Sequence, residues 1–175
     1  VFLLWSHKGL CFNYFLFCIF FAWSFHLVLH IDMLTENSVG NSRGTCPLYW
    51  TPYGTRCFHF VSTARTWAES ERHCVLMGGN LASVHSTNEY SFIQELIREQ
   101  TGGTPRTWIG GYDAVQERLW LWSDGSRFHY TYWYQGMPDN YGGVEHCMDM
   151  NFGGSKLWND APCKLLFPSV CAMRL

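Results

Sequence analysis

The sequence predicts an α+β domain, and three observations predict it. Two segments in the first part of the domain carry helix-start signals, each followed by an apolar stripe. Beyond Gly102 the helical period gives way to short alternating runs cut by glycine-rich turns. Six of the eight cysteines lie after residue 45 and form no CxxC pair, which favours disulfides in an oxidising compartment over zinc ligation or thiol redox chemistry. The length of 175 residues fits one compact domain with an appendage, and a formal net charge of -2 argues against a broad nucleic-acid-binding face. Aromatic residues make up 18% of the chain, ample apolar surface for a core at roughly 25 cal/mol per Å² buried.

Residues 1–34 are read as an apolar leader. The run from Leu10 to Leu29, LCFNYFLFCIFFAWSFHLVL, carries no Asp, Glu, Lys or Arg and has the length of a bilayer-spanning helix, although Asn13, Ser24 and His26 weaken it. Two readings stand: a signal segment, for which Ala22-Trp23-Ser24 is a poor cleavage site, or an uncleaved anchor with Lys8 on the cytoplasmic side and everything downstream outside the cell. Cys11 and Cys18 are read as apolar helix residues of this segment rather than as a structural bridge. The polar, glycine-containing stretch TENSVGNSRG marks residues 35–45 as a linker, and the domain runs from Cys46 to Leu175.

Within the domain the expected order is a strand, two helices, then strands and long loops. In TWAESERHC, Thr66 and Glu69 form a capping-box pattern, and Trp67, Cys74 and Met77 recur at a spacing that fits one buried face. Ser86 and Glu89 open a second helix in STNEYSFIQELIREQ, with Phe92, Ile93, Leu96 and Ile97 as its apolar stripe. Both stripes are core. The alternation in RLWLW (Arg118 to Trp122) and RFHYTYW (Arg127 to Trp133) predicts two short strands.

The stretch QGMPDNYGGVEHC, Gln135 to Cys147, places Asp139, Asn140 and Glu145 around a proline and paired glycines. Oxygen ligands on turning backbone suit calcium, a hard cation that takes six to eight oxygens at about 2.3 to 2.6 Å. Against a cation site here stands the plainer reading of a solvated acidic loop.

The ordered motifs CPLYWTPYGTRCFHF, TWAESERHC, GGNLASVHS, WIGGYD, WSDGS, MPDN, WND and VCAMRL, spanning about three-quarters of the chain, resemble a C-type lectin domain of the long form. Within that family the chain is most similar to small fish lectins of the ladderlectin and nattectin type and to the type II antifreeze proteins built on the same scaffold. The cysteines alone permit fifteen connectivities; the resemblance implies Cys46–Cys57, Cys74–Cys171 and Cys147–Cys163. It also implies that Asp139, Glu145, Asn159 and Asp160 hold calcium, and that a loop triplet with a cis proline aims the residues on both sides at the ion. The triplet here is Met137-Pro138-Asp139. A thioether is too soft to serve calcium as an oxygen does, so Met137 removes one ligand, and Gln135 does not stand at the family's position.

In that family two adjacent hexose hydroxyls complete the calcium shell while the ion's protein ligands hydrogen-bond the same hydroxyls. The carbohydrate-binding residues implied are therefore Asp139, Glu145, Asn159 and Asp160, with Tyr141 placed to stack on the apolar face of galactose, the sugar to which an aspartate-ending triplet points. Tyr141 equally reads as an exposed loop aromatic. The expected function is a weakly calcium-dependent, secreted lectin of innate recognition, with glycans or glycoproteins as partners and a homo-oligomer as a route to avidity. A single-pass membrane protein with an extracellular domain is the alternative topology. The alternative function is a calcium-independent interaction or ice-binding protein on the same scaffold, which Met137 favours. No GxSxG, P-loop or HExxH is present, and His73 and His146 adjoin cysteines assigned to disulfides, so an enzyme is not expected.

Overall fold

The computed structural model describes residues 44–175. The expected leader at 1–34, with Cys11 and Cys18, and most of the expected linker at 35–45 lie outside the described residues. Among the described residues no helix is long and apolar enough to cross a membrane.

A short hairpin opens the domain, β1 (Thr51–Tyr53) against β2 (Arg56–Arg65). Helix α1 (Trp67–Leu76) follows with the anticipated capping box: Glu69 N–H donates to the Thr66 hydroxyl at 3.3 Å, and the Glu69 carboxylate accepts from Thr66 N–H at 3.1 Å. Its inner face is narrower than the sequence suggests. Cys74 and Ser70 are buried, while Trp67 and Met77 lie at the margin, the Trp67 indole donating to the Ile109 carbonyl at 2.9 Å. After β3 (Asn80–Leu81), helix α2 (Thr87–Thr101) starts at Ser86, which caps Glu89 N–H. The second half of that box is not made. Glu89 turns instead to the N–H of His85 and to Arg56, a partner 33 residues back along the chain that local spacing cannot reveal. Tyr90, Ile93, Leu96 and Ile97 face the core, with Phe92 partly buried against it.

Strands β4 (Thr107–Tyr112), β5 (Leu121–Trp122), β6 (Cys147–Phe152), β7 (Leu157–Ala161) and β8 (Phe167–Arg174) complete one sheet ordered β1-β2-β8-β4-β6-β7, with β3 on β8 and β5 on β4. Only the β4–β8 pairing is parallel among these contacts. Gly110 in the WIGG stretch is required by packing: a Cβ there would meet the Leu81 carbonyl oxygen at 2.6 Å. The three disulfides pair as the resemblance implied, Cys46–Cys57, Cys74–Cys171 and Cys147–Cys163.

The two late strands expected from alternation are largely absent. Of Arg118 to Trp122 only Leu121–Trp122 is strand, and Arg127 to Trp133 is irregular apart from one bridge, Trp133 to Trp158. The physical reason is side-chain packing. Phe128, Tyr130 and Trp133 gather around the buried Trp158 ring, Tyr130 and Trp133 edge-on at 5.6 and 5.7 Å, and the backbone follows that ring instead of a strand ladder.

Candidate functional site

The aromatic cluster determines where the long loop lies. Trp158 N–H donates to the Tyr132 carbonyl at 3.0 Å and Tyr134 N–H to the Trp158 carbonyl at 2.8 Å, so the chain entering the loop is fixed to β7 immediately before Asn159 and Asp160. Strand β7 pairs with β6 in the register Asp149 to Asn159 and Met148 to Asp160, and Cys147–Cys163 ties the start of β6 to the segment just beyond β7. The candidate side chains thus come from a disulfide-braced strand pair and a loop clamped onto it.

Asp160, fully buried, organises the loop. Its two carboxylate oxygens accept the N–H groups of Asp139 at 3.2 Å and Asn140 at 2.7 Å. The Met137–Pro138 peptide is cis, and Asn140 takes the left-handed conformation with φ 45°. The loop closes on itself: Glu145 N–H donates to the Asn140 side-chain oxygen at 2.9 Å, and Tyr141 N–H donates to Glu145 Oε2 at 3.0 Å. A short 3₁₀ turn (Tyr141–Gly143) carries Tyr141 outward, 79% exposed.

Carboxylate oxygens of Asp139, Glu145 and Asp160 converge within 4.8 Å of one another. Burial, opposed by the Tyr141 N–H and reinforced by the charges of Asp160 and Asp139, raises the Glu145 carboxyl above its ordinary range. Asn159 is held differently. Its side-chain Nδ2 donates to Asp149 Oδ2 at 3.2 Å and also reaches the Asp160 carbonyl, which leaves its Oδ1 as the end of the amide not used in these bonds. Asp149 is buried and gripped by Arg106, with Nε at 2.8 Å and Nη2 at 2.6 Å. Burial pushes the Asp149 carboxyl up while the Arg106 bonds and charge pull against it. Arg106 and Asp149 act on the site through Asn159. Sequence reading missed them, since 43 residues separate the pair.

The residues fit calcium in kind. Three convergent hard carboxylates lack any lysine or arginine within salt-bridge distance among the described residues, and such a set is the oxygen donor group calcium takes. Met137, half-buried, contributes only its N–H, given to the Tyr134 carbonyl at 2.9 Å, so the first arm of the triplet carries no side-chain oxygen. Two surface depressions, one beside α1 at Arg72 and His73 and one at Arg56, His85 and Asp124, contain none of these residues. Asp139 and Tyr141 lie exposed on the loop, above the buried Asn159 and Asp160.

A second cluster, which sequence reading also missed, joins Asp113, Glu117 and His146. Asp113 and Glu117 stand four residues apart directly after WIGGY, and His146 adjoins Glu145; those were the signals available.

A family model described as the lectin C-type domain matches residues 63–173. Ladderlectin of Oncorhynchus mykiss is 49% identical over 148 residues, covering 83% of this chain and 78% of that protein. The galactose-specific lectin nattectin of Thalassophryne nattereri is 45% identical over 139 residues, covering 79% of this chain and 87% of its own. Among solved structures, the herring type II antifreeze protein superposes with a TM-score of 0.70 at 38% identity, covering 74% of this chain and 99% of that one.

Proposed function

We propose that this chain, which belongs to the C-type lectin domain family and has that family's fold, is a secreted, weakly calcium-dependent carbohydrate-binding protein with a galactose-type preference and a role in innate recognition. The observation that carries the reading is the convergence of Asp139, Glu145 and Asp160 within 4.8 Å on a loop that Asp160 itself holds in place. Calcium, when bound, would supply the charge to which two vicinal sugar hydroxyls coordinate. Asp139, Glu145 and Asp160 would hold that ion, and Asn159, steadied through Nδ2 by Asp149, would offer it Oδ1. The carboxylates accept the sugar's hydroxyl protons in hydrogen bonds, which selects the hydroxyl stereochemistry. Tyr141, exposed on its turn, offers a ring for the apolar face of galactose; similarity to a galactose-specific relative supports that choice of sugar. With four protein residues at the ion and an open surface, one domain binds a monosaccharide with a Kd on the order of millimolar, about -4 kcal/mol, and multivalency supplies useful affinity.

The test is calorimetric calcium titration of the purified protein together with retention on a galactose column, with and without EDTA. Calcium uptake and EDTA-sensitive retention are expected, and Asp160→Ala should abolish both. A second reading, calcium-independent binding of a protein or of ice, is favoured by one observation: Met137 where the triplet needs an oxygen, on a scaffold similar to an antifreeze protein. Retention that survives EDTA, or thermal hysteresis without calcium, selects it.

A further inference from the structure

The methionines of the described residues fall into two groups. Met148 and Met150 are fully buried in the main core, and Met77 and Met173 pack against the second buried cluster around Cys74 and Cys171. Met137 is half-buried and packs against neither cluster among the described residues. Gln135 and Gly136 before it and Asp139 after it are exposed, so a small oxidant reaches this residue more readily than it reaches the core methionines. The backbone there is fixed. Tyr134 N–H donates to the Trp158 carbonyl at 2.8 Å, Met137 N–H to the Tyr134 carbonyl at 2.9 Å and Asp139 N–H to Asp160 Oδ1 at 3.2 Å, so the segment that carries Met137 is pinned to β7 on both sides. Two peptide units separate Met137 from Asp139, which keeps their Cα atoms within about 7 Å of each other.

Oxidation changes what this side chain offers a cation. The sulfur lone pair attacks one oxygen of hydrogen peroxide, the O–O bond breaks, and the departing hydroxide takes the proton from the new S–OH. The thioether is thereby oxidised by two electrons to a sulfoxide while the peroxide is reduced to water. A sulfoxide oxygen is a hard, strongly polarised acceptor, and it hangs from the δ atom of the side chain as the Oε1 of a glutamine does. At a core methionine the new polar group would disrupt apolar packing; at Met137 it arises on the arm of the triplet that lacks an oxygen, two residues from one of the three convergent carboxylates. We propose that Met137 is a reversible oxidation site whose sulfoxide serves as a calcium ligand and raises the affinity of the loop. The inference rests on the calcium reading above and adds to it a dependence on oxidant.

The experiment is calorimetric calcium titration of chelator-stripped full chain before and after limited hydrogen peroxide treatment, on wild type, Met137→Leu and Met137→Gln, with peptide mass mapping to locate the added oxygen. Peroxide makes both sulfoxide epimers, and the two methionine sulfoxide reductases each remove one, so each epimer is titrated in turn. Met137 should oxidise ahead of Met77, Met148, Met150 and Met173. Calcium binding should tighten about tenfold or more in at least one epimer, roughly 1.4 kcal/mol, and return to its starting value after treatment with both reductases. Met137→Leu should show no gain, and Met137→Gln should show the tighter binding before treatment and no gain after it. Earlier oxidation of a core methionine, unchanged or weaker calcium binding in both Met137 epimers, or an equal gain in Met137→Leu overturns the proposal. Absence of calcium uptake in every form, Met137→Gln included, overturns the calcium reading with it, whereas uptake by the reduced protein without a gain on oxidation overturns this inference alone.

Discussion

The Arg106–Asp149 pair should cost far more to break on one side than to remove entirely. In Arg106→Met, Asp149 stays fully buried with a single neutral donor, Asn159 Nδ2 at 3.2 Å, in place of a two-pronged guanidinium. Stranding a buried charge in this way costs 3 to 5 kcal/mol as an order of magnitude. Arg106 is one-third exposed, so solvent already screens part of the pair, and about 3 kcal/mol is the better figure. Lost stacking of the guanidinium over Phe152 and Phe167, at 5.0 and 4.6 Å, is partly recovered by the methionine side chain. In Arg106→Met with Asp149→Leu no charge is left behind, and the double variant should lie within about 1 kcal/mol of wild type. The double-mutant cycle then gives a coupling of roughly 2 kcal/mol or more, read by urea unfolding. The stable double variant should nevertheless bind calcium more weakly, because the Asn159 amide has lost the acceptor that steadies it. Additive losses in the cycle would refute the electrostatic account, and unaltered calcium affinity in the double variant would refute the link to Asn159.

Three further outcomes are expected. Met137→Gln, which restores a side-chain oxygen beside Pro138, should tighten calcium binding by one to two decades, roughly 1.4 to 2.8 kcal/mol, with galactose binding improving alongside; calorimetry of both ligands checks this. Glu145 has a folded-state pKa raised above its ordinary 4.5, so the folded, calcium-free domain binds this proton more tightly than the unfolded chain does. Its contribution therefore favours folding as pH falls through that raised value, while calcium affinity drops over the same window, measurable by paired denaturation and calcium titrations with pH. Replacing Cys74 and Cys171 together by alanine should lower stability by about 4 to 5 kcal/mol in the chain-entropy account of a 97-residue closure, read by urea unfolding.

What the sequence made legible was local or carried by ordered motifs. Thr66 and Glu69 announced α1 because both halves of a capping box lie within three residues, and the structure forms both. Ser86 announced α2 equally well, but Glu89 was claimed by Arg56 across the fold. The alternation from Arg127 to Trp133 misled for a related reason: a period of two says only that aromatic residues face one way, and here they face Trp158 rather than a neighbouring strand. At the site, Asp139 and Glu145 lie six residues apart on one loop, whereas Asp160 meets them through the bridge at Trp158, a meeting that the resemblance implied and spacing could not. Arg106 with Asp149, and Asp113 with His146, were hidden by sequence separation. Each member taken alone reads as an ordinary surface charge.

The geometry of the loop separates two questions that Met137 tends to merge. One is whether the loop keeps its shape without a cation; the other is whether it attracts one. Backbone N–H groups answer the first: Asp160 is held by Asp139 and Asn140, and Glu145 by Tyr141, so the carboxylates converge through protein contacts alone and loss of one arm lowers affinity without unmaking the loop. Charge answers the second. Three carboxylates converge within 4.8 Å with no basic side chain in reach among the described residues, and each further negative charge raises the cost of keeping the others ionised. A cation relieves that cost directly. On the proposed reading, the carboxylates that remain outweigh the missing oxygen at Met137, and Met137 weakens the proposed calcium site without turning it into a different kind of site.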